Sequence, residues 1–451
     1  MPPAPRVTTS RSAALSRRAA LAAPLALTGC GLWDNWFGEE KTPIPGKREP
    51  VLGSANSLSV ESGAPKVVLP PAIRNAAWPQ PSGNPAHLMG HLQAQPVISQ
   101  AWRAPIGDGG GYRDKVLAQP VVASGLVYTM DCNARVSAFD LSNGQLRWRV
   151  DSKSKDSRGD NVGGGLALAD GILYAVNGLG DVVALDAATG KQKWRINLGV
   201  PGRSGPTIVA GRIFLVTIDD RLVALDAANG RQLWQYRAIN AITAMLGEPA
   251  PAYSDGIVVA GFASGELTAV RADTGTVVWT DNLVSAGLGA GLLDIYSIRG
   301  VPAISGSRVF AISMGGMAVA NDLHSGRRLW EHSVSGLDSP WVAGDWVFVL
   351  TADQTIAAIN ADDGTVAWVK QLPRWGNPKK QRDPITWYGP LLASDRLVVA
   401  GTSKAALAVS PYTGDILGMQ KLPGVACPLQ PVIADGTLLL IAQDGMLTAL
   451  R

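Results

Sequence analysis

VVALDAATGKQKW at residues 182–194 holds the pattern on which the chain is built. It reads as an apolar pair, Ala184, an apolar residue, Asp186, a turn ending in Gly190, and Trp194 four residues after that glycine. LVALDAANGRQLW at 222–234 repeats it closely, and VSAFDLSNGQLRW precedes it at 136–148. LTAVRADTGTVVW at 267–279, MAVANDLHSGRRLW at 317–330 and IAAINADDGTVAW at 356–368 continue the series. A seventh copy, ALAVSPYTGDILG at 406–418, has Gly418 in the Trp position, and an eighth, LTALR, occupies 447–451.

Alanine holds the same place in every copy: Ala138, Ala184, Ala224, Ala269, Ala320, Ala358, Ala408 and Ala449. The intervals run from 38 to 51 residues, the length of one four-stranded propeller blade. Each copy follows a second strand after a turn glycine, as in Gly125-Leu126-Val127-Tyr128 and Gly171-Ile172-Leu173-Tyr174. The alternation has period two, which is a strand and not a helix. Asn143-Gly144, Thr189-Gly190 and Asn229-Gly230 supply the positive φ of tight hairpin turns. Trp148, Trp194, Trp234, Trp279, Trp330 and Trp368 then fill the widening gaps between twisted sheets, and the alanines take the crowded sites.

Trp102, in Gln100-Ala101-Trp102-Arg103, precedes the first full copy by the expected spacing, and the eighth copy lacks a Trp strand. The N-terminal strand is therefore expected to complete the last blade and close the ring. The fold expected is all-β, an eight-bladed β-propeller of four-stranded blades over residues 96–451.

The N-terminal region reads differently. Arg6, Arg11, Arg17 and Arg18 precede an apolar run from Ala19 to Ala26, too short to span a bilayer as a helix. Residues 1–29 read as a signal peptide. Leu27-Thr28-Gly29-Cys30 resembles a bacterial lipobox, which implies lipidation of Cys30 and a lipid anchor in the membrane. Residues 30–95 are rich in proline, among them Pro43, Pro45, Pro70, Pro71, Pro79, Pro81 and Pro85, and read as a tether.

Lys and Arg number 40 against 36 Asp and Glu. The four arginines before residue 30 supply the whole excess, so the body is neutral. That argues against a nucleic-acid partner. Three cysteines and four histidines include no Cys-x-x-Cys, and no metal site is proposed. Cys132 lies between the second and third strands of blade one, and Cys427 lies just before the first strand of blade eight. Those loops open on one face of neighbouring blades, so a disulfide between them and two separate thiols are both open readings. Gly109-Gly110-Gly111 and Gly163-Gly164-Gly165 lack the Lys-Ser/Thr of a P-loop.

The Ala-x-Asp-x-x-Thr-Gly-x-x-x-Trp repeat resembles the docking motif of pyrroloquinoline-quinone propellers. Together with the lipobox, the proline-rich segment and eight copies, the chain resembles the BamB family of outer-membrane assembly lipoproteins. The stretch with Trp78-Pro79-Gln80 and Gly83-Asn84-Pro85 resembles the longer N-terminal segment of alphaproteobacterial members. The resemblance implies a non-enzymatic scaffold without cofactor, on the periplasmic face of the outer membrane. It would dock on the periplasmic domains of the barrel-forming subunit BamA, and unfolded β-barrel clients are further partners. The family's contact loop matches Met245-Leu246-Gly247-Glu248-Pro249-Ala250-Pro251, with Leu246 where the family has arginine. Its acidic loop matches Leu293-Asp294-Ile295-Tyr296, with Tyr296 in place of the second acid. The implied partner-binding residues are Met245, Leu246, Glu248, Asp294 and Tyr296. Two rivals share the fold: a periplasmic quinone-dependent dehydrogenase, with its cofactor and calcium in the axial funnel, and a propeller that binds peptide or glycan.

Overall fold

A computed structural model describes residues 57–95, 99–111, 115–155, 157, 159–241, 243, 245, 247, 249–285, 295–422, 427 and 429–451. Within them the strands form eight four-stranded antiparallel sheets and one small hairpin, and there is no helix. Blade one runs Val121–Ala123, Leu126–Met130, Arg135–Asp140 and Leu146–Asp151, in that order across the sheet. The next five blades repeat this order, and blade seven ends in Ile416–Lys421. The hairpin, Trp375–Asn377 with Arg382–Pro384, lies between blades six and seven. Blade eight takes Val432–Ala434, Thr437–Ile441 and Met446–Leu450 from its own repeat and Gln100–Pro105 from the N-terminal side. The ring closes as the repeat arithmetic predicts.

The alanine and the tryptophan of the first six copies are direct cross-strand partners: Ala138 with Trp148, Ala184 with Trp194, and so on to Ala358 with Trp368. In blade eight Ala449 faces Trp102 across the closing pair of strands. The second strand adds an aromatic on the same row in five blades. Tyr128, Tyr174, Phe214, Phe310 and Phe348 lie about 6 Å from the Trp of their own sheet. The methyl of alanine lets the two large rings approach over it, so the small residue is set by its row neighbours as much as by the next sheet.

Each Trp docks on the following blade. The indole N–H of Trp148 donates to Ala187 O at 3.0 Å, that of Trp194 to Ala227 O at 3.1 Å, and that of Trp368 to Pro411 O at 2.8 Å. Trp102, Trp234, Trp279 and Trp330 do the same to Leu141, Ala272, Leu323 and Ala361. The ring covers the turn glycine of that blade. A Cβ at Gly190 would stand 2.8 Å from the Trp148 ring, and its φ of 72° is left-handed besides. Seven of the eight gaps are sealed in this way.

Residues 57–95 depart from the expected tether and lie against the propeller. The first strands of blades one to seven adjoin in succession and form the inner ring. From Asn75 to Leu92 the chain makes one lap inside it. Asp435 N donates to Asn75 O at 2.7 Å in blade eight, and Trp78 exchanges two backbone bonds with Val122 in blade one. Leu168 N of blade two reaches Pro79 O, and the Gln80 amide brackets Ile208 of blade three at 2.8 and 3.0 Å. Tyr253 N of blade four meets Pro85 O, and Ile304 N of blade five meets Ala86 O. Trp341 of blade six donates its indole N–H to Gly90 O, and Leu92 pairs with blade seven. The last-but-one residue of the inner strand is used in seven of the blades: Val122, Leu168, Ile208, Tyr253, Ile304, Leu392 and Ile433. The lap thus satisfies inner-edge backbone groups that would otherwise be unpaired. Trp78, fully buried, stacks on Trp341 at 6.3 Å.

Candidate partner-binding site

The two loops singled out in the sequence meet. Met245 N donates to Ser297 Oγ at 3.4 Å, beside Tyr296. Met245 and Tyr296 are both half-buried. Leu246, Glu248 and Asp294 lie outside the described residues.

What joins the loops is a buried arginine that the sequence reading missed. Arg203, only 3% exposed, donates from Nη2 to Ser297 Oγ at 2.8 Å and to Met245 O at 3.3 Å. Its Nη1 lies 3.7 Å from Asp220 Oδ1. Burial brings the guanidinium down to about 10, against the pull of Asp220. Asp220 in turn accepts from Ala263 N at 3.0 Å and Ala241 N at 3.2 Å, fixing the start of the first loop to blade four. These bonds offset only part of the desolvation cost of the pair, since Arg203 Nε and Nη1 are buried without a hydrogen-bond partner, so the arrangement serves position more than stability. Arg203 stands in Pro201-Gly202-Arg203-Ser204, with nothing in its local pattern to mark it.

A second pair extends this cluster. Arg299 Nη1 lies 3.6 Å from Asp338 Oδ1 and its guanidinium sits 6.0 Å from the Tyr388 ring centre. Burial pushes the Asp338 carboxyl up to about 7, with Arg299 opposing. Gly247 passes directly over Arg299, where a side chain would collide with it. Ser82 of the inner lap, Arg299 and Asp338 border a cavity of about 40 Å³.

This geometry bears on a cofactor. A quinone needs a site of several hundred Å³, and here the lap from Asn75 to Leu92 runs around the inside of the ring. Among the described residues no group of three or more His, Cys, Asp or Glu is placed to hold a metal ion. His87 and His91, four apart in sequence, are not a ligand pair. His87 Nδ1 meets Pro302 O and His91 Nδ1 meets Pro70 O, both at 2.8 Å, and His91 Nε2 accepts from Asp395 N. Among the described residues, no set of side chains is arranged to hold a quinone with calcium.

The family model described as "Outer membrane protein assembly factor BamB" matches residues 132–370 and 352–451. The chain belongs to the BamB family. The Burkholderia pseudomallei outer membrane protein assembly factor BamB is 32% identical over 77% of this chain and 86% of its own length. The Escherichia coli protein of that name is 24% identical over 78% and 89%. Among solved structures, BamB from Moraxella catarrhalis superposes with a TM-score of 0.66 at 20% identity, over 79% of this chain and all of that one. Quinohemoprotein alcohol dehydrogenase from Comamonas testosteroni gives 0.63 at 15% identity, over 84% and 81%. Both likenesses establish the propeller. The dehydrogenase likeness carries no chemistry, since a fold hosts many functions.

Cys132 and Cys427 belong to one buried cluster that runs from blade six to blade one, and the structure holds both as thiols rather than as the disulfide the sequence left open. Cys132 Sγ lies 3.1 Å from Gly109 O. Burial, with the Asp444 charge second, pushes the Cys427 thiol up to about 12.

Proposed function

We propose that this member of the BamB family is a non-enzymatic scaffold in outer-membrane protein assembly. It docks on the periplasmic domains of the barrel-forming subunit through the surface around Met245, Leu246, Glu248, Asp294 and Tyr296. The observation that carries the reading is the junction of the two loops at Arg203 and Ser297. Two segments some fifty residues apart in sequence, one carrying Met245 and the other Tyr296, are joined by a buried charge network. Such a patch suits a modest protein contact with a few anchors. Lipidation at Cys30, after removal of residues 1–29, holds the propeller at the periplasmic face of the outer membrane, and unfolded barrel clients pass near it. Calorimetric titration of the subunit's periplasmic domains into wild type, Leu246→Glu and Tyr296→Ala tests the surface. The expected loss is about ten- to hundredfold in affinity for each folded variant. Unchanged affinity in both would place the contact elsewhere on the propeller.

A further inference from the structure

Among the described connections between blades, only the one from six to seven forms a hairpin of its own, Trp375–Asn377 paired with Arg382–Pro384. Its base is fixed to the blades. Ile385 N donates to Arg374 O at 2.8 Å, the Trp387 indole N–H to Pro373 O at 2.8 Å, and Trp387 N to Gln354 Oε1 at 2.6 Å. At the tip Lys380 N donates to Asn377 Oδ1 at 3.2 Å. Arg374, Lys379, Lys380 and Arg382 are all exposed on this arm, and Asp383 is its one acid. None of the four cations forms an ion pair among the described residues. Two more lysines reach the same sector by other routes. Thr402 N donates to Thr386 O at 2.9 Å and Thr386 N to Thr402 Oγ1 at 3.0 Å, which ties the base of the hairpin to the turn Thr402-Ser403-Lys404 of blade seven. Ala405, next in that turn, faces Lys421 at the end of the outer strand. Lys404 and Lys421 are both exposed. Lys404 holds the left-handed turn position that Asp220 holds in blade three, with φ of 60° and 57°, so the sign of the charge is reversed there.

We propose that this basic corner of the propeller rests on an anionic phospholipid surface. The body of the chain is neutral, so the excess of positive charge is a local feature of blade seven. Lysines hold the tip of the arm. A lysine ammonium is a compact, strongly hydrated charge and is depleted from protein–protein interfaces. A layer of headgroup phosphates asks for no fixed geometry, and its attraction adds up over every Lys or Arg within about 8 Å at physiological salt. Trp375, half-buried on the same arm, supplies an amphipathic ring of the kind that settles at headgroup level. The hairpin runs from the fourth strand of one blade to the first of the next, as do the two loops joined at Ser297. All three therefore emerge on one face, in different sectors. Contact at blade seven leaves the Met245 sector clear for the protein partner proposed above. The lipid contact rests on the outer-membrane location in that reading and not on its loop surface.

The test places the fluorescent amino acid acridonylalanine at Gln381 of the full chain, so the readout belongs to the arm however the rest of the chain is attached. The chain is mixed with vesicles of phosphatidylcholine alone or of an equal mixture with phosphatidylglycerol, each carrying a spin-labelled lipid as quencher. Quenching is expected in the mixed vesicles and should be about tenfold weaker in phosphatidylcholine alone. It should also fall about tenfold in Lys379→Ser/Lys380→Ser/Arg382→Ser and persist in Lys379→Arg/Lys380→Arg. These side chains are exposed, so the blade rows are untouched, and melting curves check the fold. Equal quenching in the two vesicles, quenching in neither, or quenching that survives the triple serine variant would overturn the proposal. A fluorescence response to the barrel-forming subunit's periplasmic domains without lipid would also overturn it, by giving the arm to a protein. No partner protein is present in the vesicle mixtures, so failure there leaves the docking reading standing.

Discussion

The gap between blades six and seven and the gap between seven and eight differ in one residue of the motif and in one connection. In the first, Trp368 covers Gly414 and bonds to Pro411 O at 2.8 Å. In the second, Gly418 stands in the Trp position and the receiving turn is missing, because the closing strand arrives from the other end of the repeat array. The tryptophan and the next blade's turn are thus one unit. Where the topology removes the turn, an indole would have neither a carbonyl to bond nor a glycine to cover, and its N–H would be left unsatisfied in an apolar gap. The substitution at Gly418 follows from the way the ring closes.

The comparison can be broken most severely at the closure itself. Deleting residues 99–104 removes the strand that pairs with Met446–Leu450 and takes Trp102 from the gap to blade one. Loss of a single cooperative melting transition, with aggregation, is the expected result. A deletion that melts as the parent does would mean the ring is held elsewhere. Next, Trp368→Ala should turn the sixth gap into an open groove and cost about 3–5 kcal/mol in chemical denaturation. Gly418→Leu, by contrast, should change stability by less than about 1 kcal/mol. Equal losses at the two positions would dissolve the distinction between the gaps. Gly414→Ala is smaller, about 1–3 kcal/mol, since its Cβ would stand 2.6 Å from the Trp368 ring and its φ is 75°.

A smaller effect concerns the inner lap. Burial depresses the His87 imidazole to about 4, with the bond to Pro302 O opposing. The unfolded chain binds the proton below about 6.5 and the folded chain only below about 4, so this residue removes stability as pH falls through that window. Asp338 has the opposite sign. Its carboxyl is raised to about 7, so it removes stability as pH rises from the usual carboxylate range to 7. The comparison of variants separates them: His87→Gln should flatten the fall in melting temperature from pH 6.5 to 4, and Asp338→Asn should flatten the fall from pH 4 to 7. Peptide mapping without reductant reads the Cys132–Cys427 pair, with two alkylated thiols expected and a bonded pair contradicting it.

The blade count and the closure were legible because each blade repeats one row, and the positions of Ala184, Gly190 and Trp194 carry local signals of turn and burial. The inner lap was not. Its prolines exclude helix and central strand, which is also what a tether looks like, and its partners lie up to about 360 residues away on eight different blades. Only backbone edges ask for it, and an edge leaves no mark on side-chain periodicity. The loop site was half legible. Met245 and Tyr296 could be placed by resemblance, whereas Arg203 and Asp338 act through burial and charge that arise only when distant turns converge.

The account rests on the loop surface as the docking point. The direct measurement is affinity capture of the tagged full chain from detergent-solubilised outer membranes, wild type beside Leu246→Glu, with quantitative mass spectrometry. The account predicts that the barrel-forming subunit is enriched with wild type and falls at least tenfold with the variant at equal capture of the chain itself. Enrichment that is absent with wild type, or equal for both, would contradict it.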